Sequence, residues 1–239
     1  MGFFAALSFL TLIPVPNRWK GSLPASPPYF PLIGTLLGLV TWGAFETARI
    51  LAGTASGAAS AVVTLAFLTR GLHLDGLADT FDALGSGKGG KEALAIMKDP
   101  QIGPFGAVAI LCVLLLKGAL IYDLPPEAMG RSLILFPIMG RMGVLLPLCF
   151  FPYARKKGIG TVFQQSGART FLGGLVISLG LALLLYGVAG LAILCSTLLF
   201  CYLFALFLRK RVGGNTGDTL GATIELAEVV ALLSIHLWV

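Results

Sequence analysis

Apolar residues in this chain come in long, nearly uninterrupted runs, not in the strict alternation of half-buried strands. About 20 consecutive apolar residues carry a helix across a bilayer core. Seven stretches approach that length: 31–52, 54–69, 103–121, 131–151, 171–188, 190–208 and 218–239. The second is short and is expected to extend into Arg70-Gly71-Leu72. A further run, Gly2 to Ile13, is too short to span and ends in Pro14-Val15-Pro16, which predicts an interfacial or re-entrant half-helix. It lacks the basic start and small-residue cleavage site of a signal peptide. The pattern predicts an all-α, polytopic integral membrane bundle of about seven transmembrane helices. Residues 1–239 are read as a single membrane-embedded domain with a cytoplasmic loop at about 70–102.

Composition agrees. The chain is 56% hydrophobic and 12% charged, with mean hydropathy +0.90, against about 25% charged in soluble domains. Its net charge of +6 does not call for nucleic acid, because cytoplasmic loops of membrane proteins are basic. If residues 14–30 are cytoplasmic, so are 70–102, 152–170 and 209–217. Those segments hold Arg18, Lys20, Arg70, Lys88, Lys91, Lys98, Arg155, Lys156, Lys157, Arg169, Arg209, Lys210 and Arg211, which is 13 of the 17 basic residues. The C-terminus then lies outside, and every motif with chemistry lies at the cytoplasmic face. Cys112, Cys149, Cys195 and Cys201 sit in apolar runs without metal-ligand spacing, and read as buried, inert thiols.

Three carboxylates interrupt the pattern within Leu72-His73-Leu74-Asp75-Gly76-Leu77-Ala78-Asp79-Thr80-Phe81-Asp82. On a helix, Asp75, Asp79 and Asp82 fall within roughly 60° of one another. Like charges on one face repel, so a divalent cation bridging to a phosphate would turn the repulsion into a site. Hard oxygen ligands suit magnesium, which keeps waters and completes its shell with substrate phosphates. His73 points roughly 200° away from Asp75 and is either a structural hydrogen-bonder or a base. Further on, Gly85-Ser86-Gly87-Lys88-Gly89-Gly90 lacks the phosphate-loop pattern and its strand, and reads as a linker. Lys98-Asp99 is either a site element or an ordinary interfacial charge pair.

A second acidic group opens the last span: Asp218, Glu225 and Glu228, within roughly 80° on a helix. Ionisable groups two to three turns into an apolar segment face a cavity or a partner. Arg141 lies mid-span, so it either clamps a phosphate with its planar fork or pairs with Glu225 or Glu228. Arg155 closes the same span at the cytoplasmic face, where Lys156 and Lys157 read as membrane anchors. Of the two arginines, Arg141 is expected to be the more sensitive. Glu46 and Arg49 read as an internal pair, Lys117 as snorkelling, and His236 as structural.

These blocks resemble the cobalamin synthase family. The resemblance rests on Gly71-Leu72-His73-Leu74-Asp75-Gly76-Leu77-Ala78-Asp79-Thr80, then Ala95-Ile96-Met97-Lys98-Asp99 and Ile102-Gly103-Pro104-Phe105-Gly106. Phe9-Leu10-Thr11, Ile13-Pro14-Val15-Pro16, Gly140-Arg141, Pro152-Tyr153-Ala154-Arg155 and Gly214-Asn215-Thr216-Gly217-Asp218 follow the same order. Arg70 stands where a glycine is common, and Pro100-Gln101 where Ser-Arg is common. The resemblance implies an adenosylcobinamide-GDP ribazoletransferase of the inner membrane, dependent on Mg2+. A ribose hydroxyl of α-ribazole, or of its 5′-phosphate, would attack the phosphate next to the aminopropanol arm of adenosylcobinamide-GDP, and GMP would leave. On this reading Asp75, Asp79 and Asp82 hold the metal and, with His73, do the catalysis. Lys98, Asp99, Arg141, Arg155, Asn215, Asp218, Glu225 and Glu228 bind substrate. Partners expected are the two substrates and the lipid bilayer, with room for a homo-oligomer or association with other cobalamin-assembly enzymes. Two rivals are weaker. A CDP-alcohol phosphotransferase would need a DGxxAR motif, from which the run starting at Asp75-Gly76 departs at Asp79, and a trailing GxxxDxxxD that is missing. An ion-coupled transporter would show an internal repeat, and none is evident.

Overall fold

A computed structural model describes residues 2–19, 21–155, 158–163 and 166–239, and within these every long element is helical. Lys20, Lys156 and Lys157, three of the basic residues used to set orientation, lie outside the described residues.

The chain opens with α1 (Gly2–Leu10), nine residues and about 14 Å long, too short to cross a bilayer. It packs through Ala5, Ala6 and Leu10. Three short 3-10 turns then lead to α2 (Phe30–Ala52), and Gly53, at φ +88°, folds the chain straight back into α3 (Thr54–Leu68). At 15 residues α3 rises about 22 Å, short of the roughly 30 Å hydrocarbon core. The expected extension of this span does not continue straight. At Arg70-Gly71 the chain turns by 89° into α4 (Leu72–Gly85). Arg70 has φ +59°, the one non-glycine in the left-handed region among the described residues. A side chain in this conformation costs conformational energy. Arg70 offsets it by donating from Nη2 to the Thr11 carbonyl at 2.9 Å, tying the end of α1 to the turn.

The short α5 (Gly90–Ile96) precedes α6 (Pro104–Tyr122), α7 (Pro126–Gly143) and α8 (Leu145–Phe150). Proline at the first position of α6 and α7 suits a helix start, where its missing N–H would be unpaired anyway. After a 3-10 turn at Ile159–Phe163 come α9 (Ala168–Tyr186), α10 (Val188–Val212) and α11 (Gly217–His236). Six helical segments are long and apolar enough to cross a membrane, or up to seven if the bent α3–α4 pair counts as one. The protein is thus an all-helical, multi-pass membrane protein.

α7 and α11 are the enclosed helices, while α6, α9 and α10 turn residues such as Leu115, Leu184 and Leu199 outward. Small residues set the contacts, as lipid-embedded helices require. A Cβ on Gly34 or Gly38 of α2 would come within 2.7 Å of the α7 backbone. His236 bonds the Leu120 carbonyl at 2.8 Å, and Glu46 pairs with Arg49 at 2.7 Å, both as expected. The cysteines are free, but Cys112 and Cys195 are exposed on the outside of the bundle, not buried.

Candidate active site

The aspartate helix is held by its neighbours at both ends. A Cβ on Gly76 would lie 2.6 Å from the Asp218 carbonyl oxygen, so α4 and the start of α11 meet backbone to backbone. At the far end, Asp82 accepts hydrogen bonds from the N–H groups of Gly103 (2.7 Å) and Gly106 (2.8 Å), one at each carboxylate oxygen. A carboxylate at a helix N-terminus satisfies unpaired donors and meets the positive end of the dipole. Asp82 therefore docks α6 onto α4. It shares a helix face with Asp75 and Asp79, but its oxygens already serve the backbone.

Asp75 is exposed and Asp79 half-buried, and neither has an ion-pair partner among the described residues. Burial first, then the carboxylates of Asp218 and Asp75, push the Asp79 carboxyl up to about 6, with Arg155 only partly opposing them. α11 supplies Asp218 just inside a capping box in which the Thr216 hydroxyl accepts from the Thr219 N–H (3.2 Å) and Thr219 Oγ1 accepts from the Thr216 N–H (2.8 Å). Residues 152–154 run alongside: the Asn215 N–H donates to the Pro152 carbonyl at 2.8 Å, and the Ala154 N–H to the Asn215 carbonyl at 2.7 Å. The Asn215 amide donates to the Pro147 carbonyl at 2.8 Å. Asn215 is thus a clamp for the 152–155 segment, not a ligand group. It brings the Arg155 guanidinium to 2.8 Å from Asp218.

His73, Asp75, Arg155 and Asp218 line one cavity of about 220 Å³. Asp79, Asp82 and Asp99 line a second cleft of about 260 Å³, further along α4 toward its C-terminal end. Asp99 accepts from the Gln101 N–H at 3.0 Å, and Lys98 is exposed and lines neither.

Arg141, Glu225 and Glu228 stand apart from this mouth. They form a sealed network with Lys117, in which Lys117 Nζ donates to Glu225 (2.6 Å) and to Glu228, and Arg141 Nη1 donates to Glu228. Arg141 is fully buried, and none of the four side chains is more than 7% exposed. Two cations and two carboxylates balance, which is the condition for burying charge at this depth. Of the two readings of Arg141, the geometry favours the internal pair, and Glu228 is its partner. Glu225 and Glu228 likewise leave the set of substrate-binding residues. Lys117 does not snorkel: it points inward, a role hidden because α6 carries no other polar residue to mark an inner face.

His73 sits between the two regions. Its Nδ1 lies 3.5 Å from Arg141 Nη2 and 4.0 Å from Glu225, and its Nε2 is buried with no hydrogen-bond partner among the described residues. A guanidinium can only donate, so Nδ1 accepts and the ring proton belongs on Nε2. In this arrangement Nε2 of His73 is a hydrogen-bond donor, and the residue lines the cavity.

Among the described residues, no three His, Cys, Asp or Glu side chains gather tightly enough to cage a metal. A magnesium ion needs no such cage, since one or two carboxylates with substrate phosphates and water suffice. Asp75 and Asp79, one turn apart and unpaired, fit that donor chemistry.

The family model for cobalamin-5-phosphate synthase matches residues 2–236. Among curated proteins, one from Roseiflexus sp. (strain RS-1) is 39% identical over 97% of this chain and 88% of its own length. A protein of Citrobacter koseri is 37% identical over 98% of each chain, and one of Desulforamulus reducens 36% identical over 97% of this chain and 94% of its own. All three are named adenosylcobinamide-GDP ribazoletransferase. No solved structure matches the chain.

Proposed function

The chain belongs to the cobalamin-5-phosphate synthase family, and we propose that it transfers the cobinamide-phosphate group of adenosylcobinamide-GDP to α-ribazole or its 5′-phosphate. The observation that carries this is the meeting of Asp75, Asp218 and Arg155, from three separate parts of the sequence, at the mouth of one cavity. A ribose hydroxyl attacks the phosphate next to the aminopropanol arm, a new P–O bond forms, and the bond to GMP breaks. Such transfers depend on positioning and charge neutralisation more than on covalent chemistry by the protein. Arg155 reaches the substrate diphosphate from Asp218, exchanging one anionic partner for another. The hydroxyl proton passes to a carboxylate of the Asp75, Asp79 and Asp218 group. Asp75 and Asp79 would hold magnesium, which when bound offsets the diphosphate charge. The protein resides in the cytoplasmic membrane with this face inward, where nucleotides are.

Incubating the purified protein with adenosylcobinamide-GDP, α-ribazole and magnesium should release GMP. Absence of GMP with both free and phosphorylated ribazole would overturn the assignment.

A further inference from the structure

We propose that the cavity below Asp75 and Asp218 is the seat of the ribazole base, with its aromatic wall setting which base is accepted. This deepens the reaction proposed above and rests on it. The cavity has two unlike kinds of lining. The polar groups that line it, His73, Asp75, Tyr153, Arg155 and Asp218, come from the starts of α4 and α11 and from the 152–155 segment. Its aromatic side is a cluster of three phenyl rings: Phe9 lies 6.3 Å from Phe30 and 5.5 Å from Phe163, and Phe30 meets Phe163 edge-on at 6.2 Å, centroid to centroid. Each ring comes from a different part of the chain: the non-spanning α1, the start of α2, and the 3-10 turn at Ile159–Phe163. The short α1 thereby has a task, which is to supply one wall of this box.

Four pieces of the two substrates are candidates to enter. The corrin ring is too large for about 220 Å³, a volume below the roughly 300–1,000 Å³ of pockets that enclose a whole drug-sized ligand. Guanine and adenine are flat enough, but each carries exocyclic polar groups that phenyl walls cannot pair, and burying them unpaired is costly. The base of α-ribazole is a dimethylbenzimidazole, a flat apolar bicycle whose free heteroatom is one ring nitrogen, an acceptor. Offset or edge-on contact with phenyl rings suits it. The donor that this nitrogen lacks is at hand. His73 lines the cavity, its Nε2 is buried and unpartnered, and the Arg141 contact at Nδ1 leaves the proton on Nε2. With the base seated among the phenyl rings, the ribose lies at the rim beside Asp75 and Asp218, where the hydroxyl must react.

The test measures GMP release by the full-length protein while α-ribazole and adenosylcobinamide-GDP are varied in turn. Phe163→Ala should raise the KM for α-ribazole about tenfold, one 1.4 kcal/mol step, without moving the KM for adenosylcobinamide-GDP. Phe163→Leu, which keeps apolar volume but no ring, should fall between wild type and Phe163→Ala, and it serves if Phe163→Ala does not fold. Wild type should use an adenine riboside about tenfold to a hundredfold less well than α-ribazole, the cost of stranding its polar groups. A rise in the KM for adenosylcobinamide-GDP alone would assign the cavity to the nucleotide and overturn the proposal, and so would unchanged values for both substrates. If wild type releases no GMP, the reaction itself is wrong. Calorimetry with free dimethylbenzimidazole then judges the cavity separately, since binding weakened by Phe163→Leu supports the aromatic box and no binding refutes it.

Discussion

Arg155 and Asp218 meet at 2.8 Å with their side chains only 17% and 21% exposed, across a junction made by residues distant in sequence. The pair is partly shielded but open on the cavity side, so its guanidinium can exchange a carboxylate for a phosphate without being uprooted. The sequence pattern expected Arg141 to be the more sensitive arginine of the diphosphate site, whereas the structure puts Arg155 on the cavity and pairs the buried Arg141 with Glu228. Arg155→Lys should keep most of the protein folded but lose the planar fork. We expect GMP release to fall by about tenfold or more, as for a charged hydrogen bond lost at a reacting group. Equal kcat/KM for Arg155→Lys and wild type would remove Arg155 from the diphosphate site.

The three aspartates of α4 should separate into two classes. Asp75→Asn and Asp79→Asn remove like charges, so thermal stability should hold or rise slightly while GMP release is lost. Asp82→Ala strands the N–H groups of Gly103 and Gly106, and should cost roughly 2 to 4 kcal/mol of stability. Thermal unfolding in detergent and GMP release at limiting magnesium measure the two effects. Near wild-type rates for Asp79→Asn at limiting magnesium would refute its metal role.

Removing one member of the buried network should be far worse than removing a matched pair. Arg141→Met leaves Lys117 alone with two carboxylates, and the loss is expected to be about 3–5 kcal/mol, seen as poor membrane yield. Adding Glu228→Gln restores neutrality, because Lys117 keeps Glu225 at 2.6 Å. Yield and activity should recover together in the double variant. Recovery of yield without GMP release would return Arg141 to direct contact with substrate.

Loop charge predicts that position 86 faces the cytoplasm and position 239 the opposite side. Cysteines placed at Ser86 and Val239, in a background lacking the four native thiols, should react with an impermeant reagent from opposite sides of sealed vesicles. Labelling of position 86 from the periplasmic side would overturn the site proposal, since GMP chemistry belongs with cytoplasmic nucleotides.

The sequence by itself determined what short-range patterns encode. Apolar run length decides that a helix can span, whatever it later packs against. Helical periodicity put Asp75, Asp79 and Asp82 on one face, and the cost of burying charge in a span marked Arg141, Glu225 and Glu228 as paired or functional. Tertiary structure alone decided the rest, because it joins residues separated by many turns of chain. Lys117 and Glu228 are 111 residues apart, Arg141 and Glu228 87, and Asp82 and Gly106 24. Nothing local told the inward Lys117 from a snorkelling one, or the docking Asp82 from its two free neighbours. The phenyl cluster was equally hidden, since Phe9, Phe30 and Phe163 look like any other apolar residues of a membrane protein. They become a box only when α1, α2 and the 3-10 turn close on one another. One-dimensional spacing reports what a residue can do on its own helix, and packing decides which of those options its neighbours leave open.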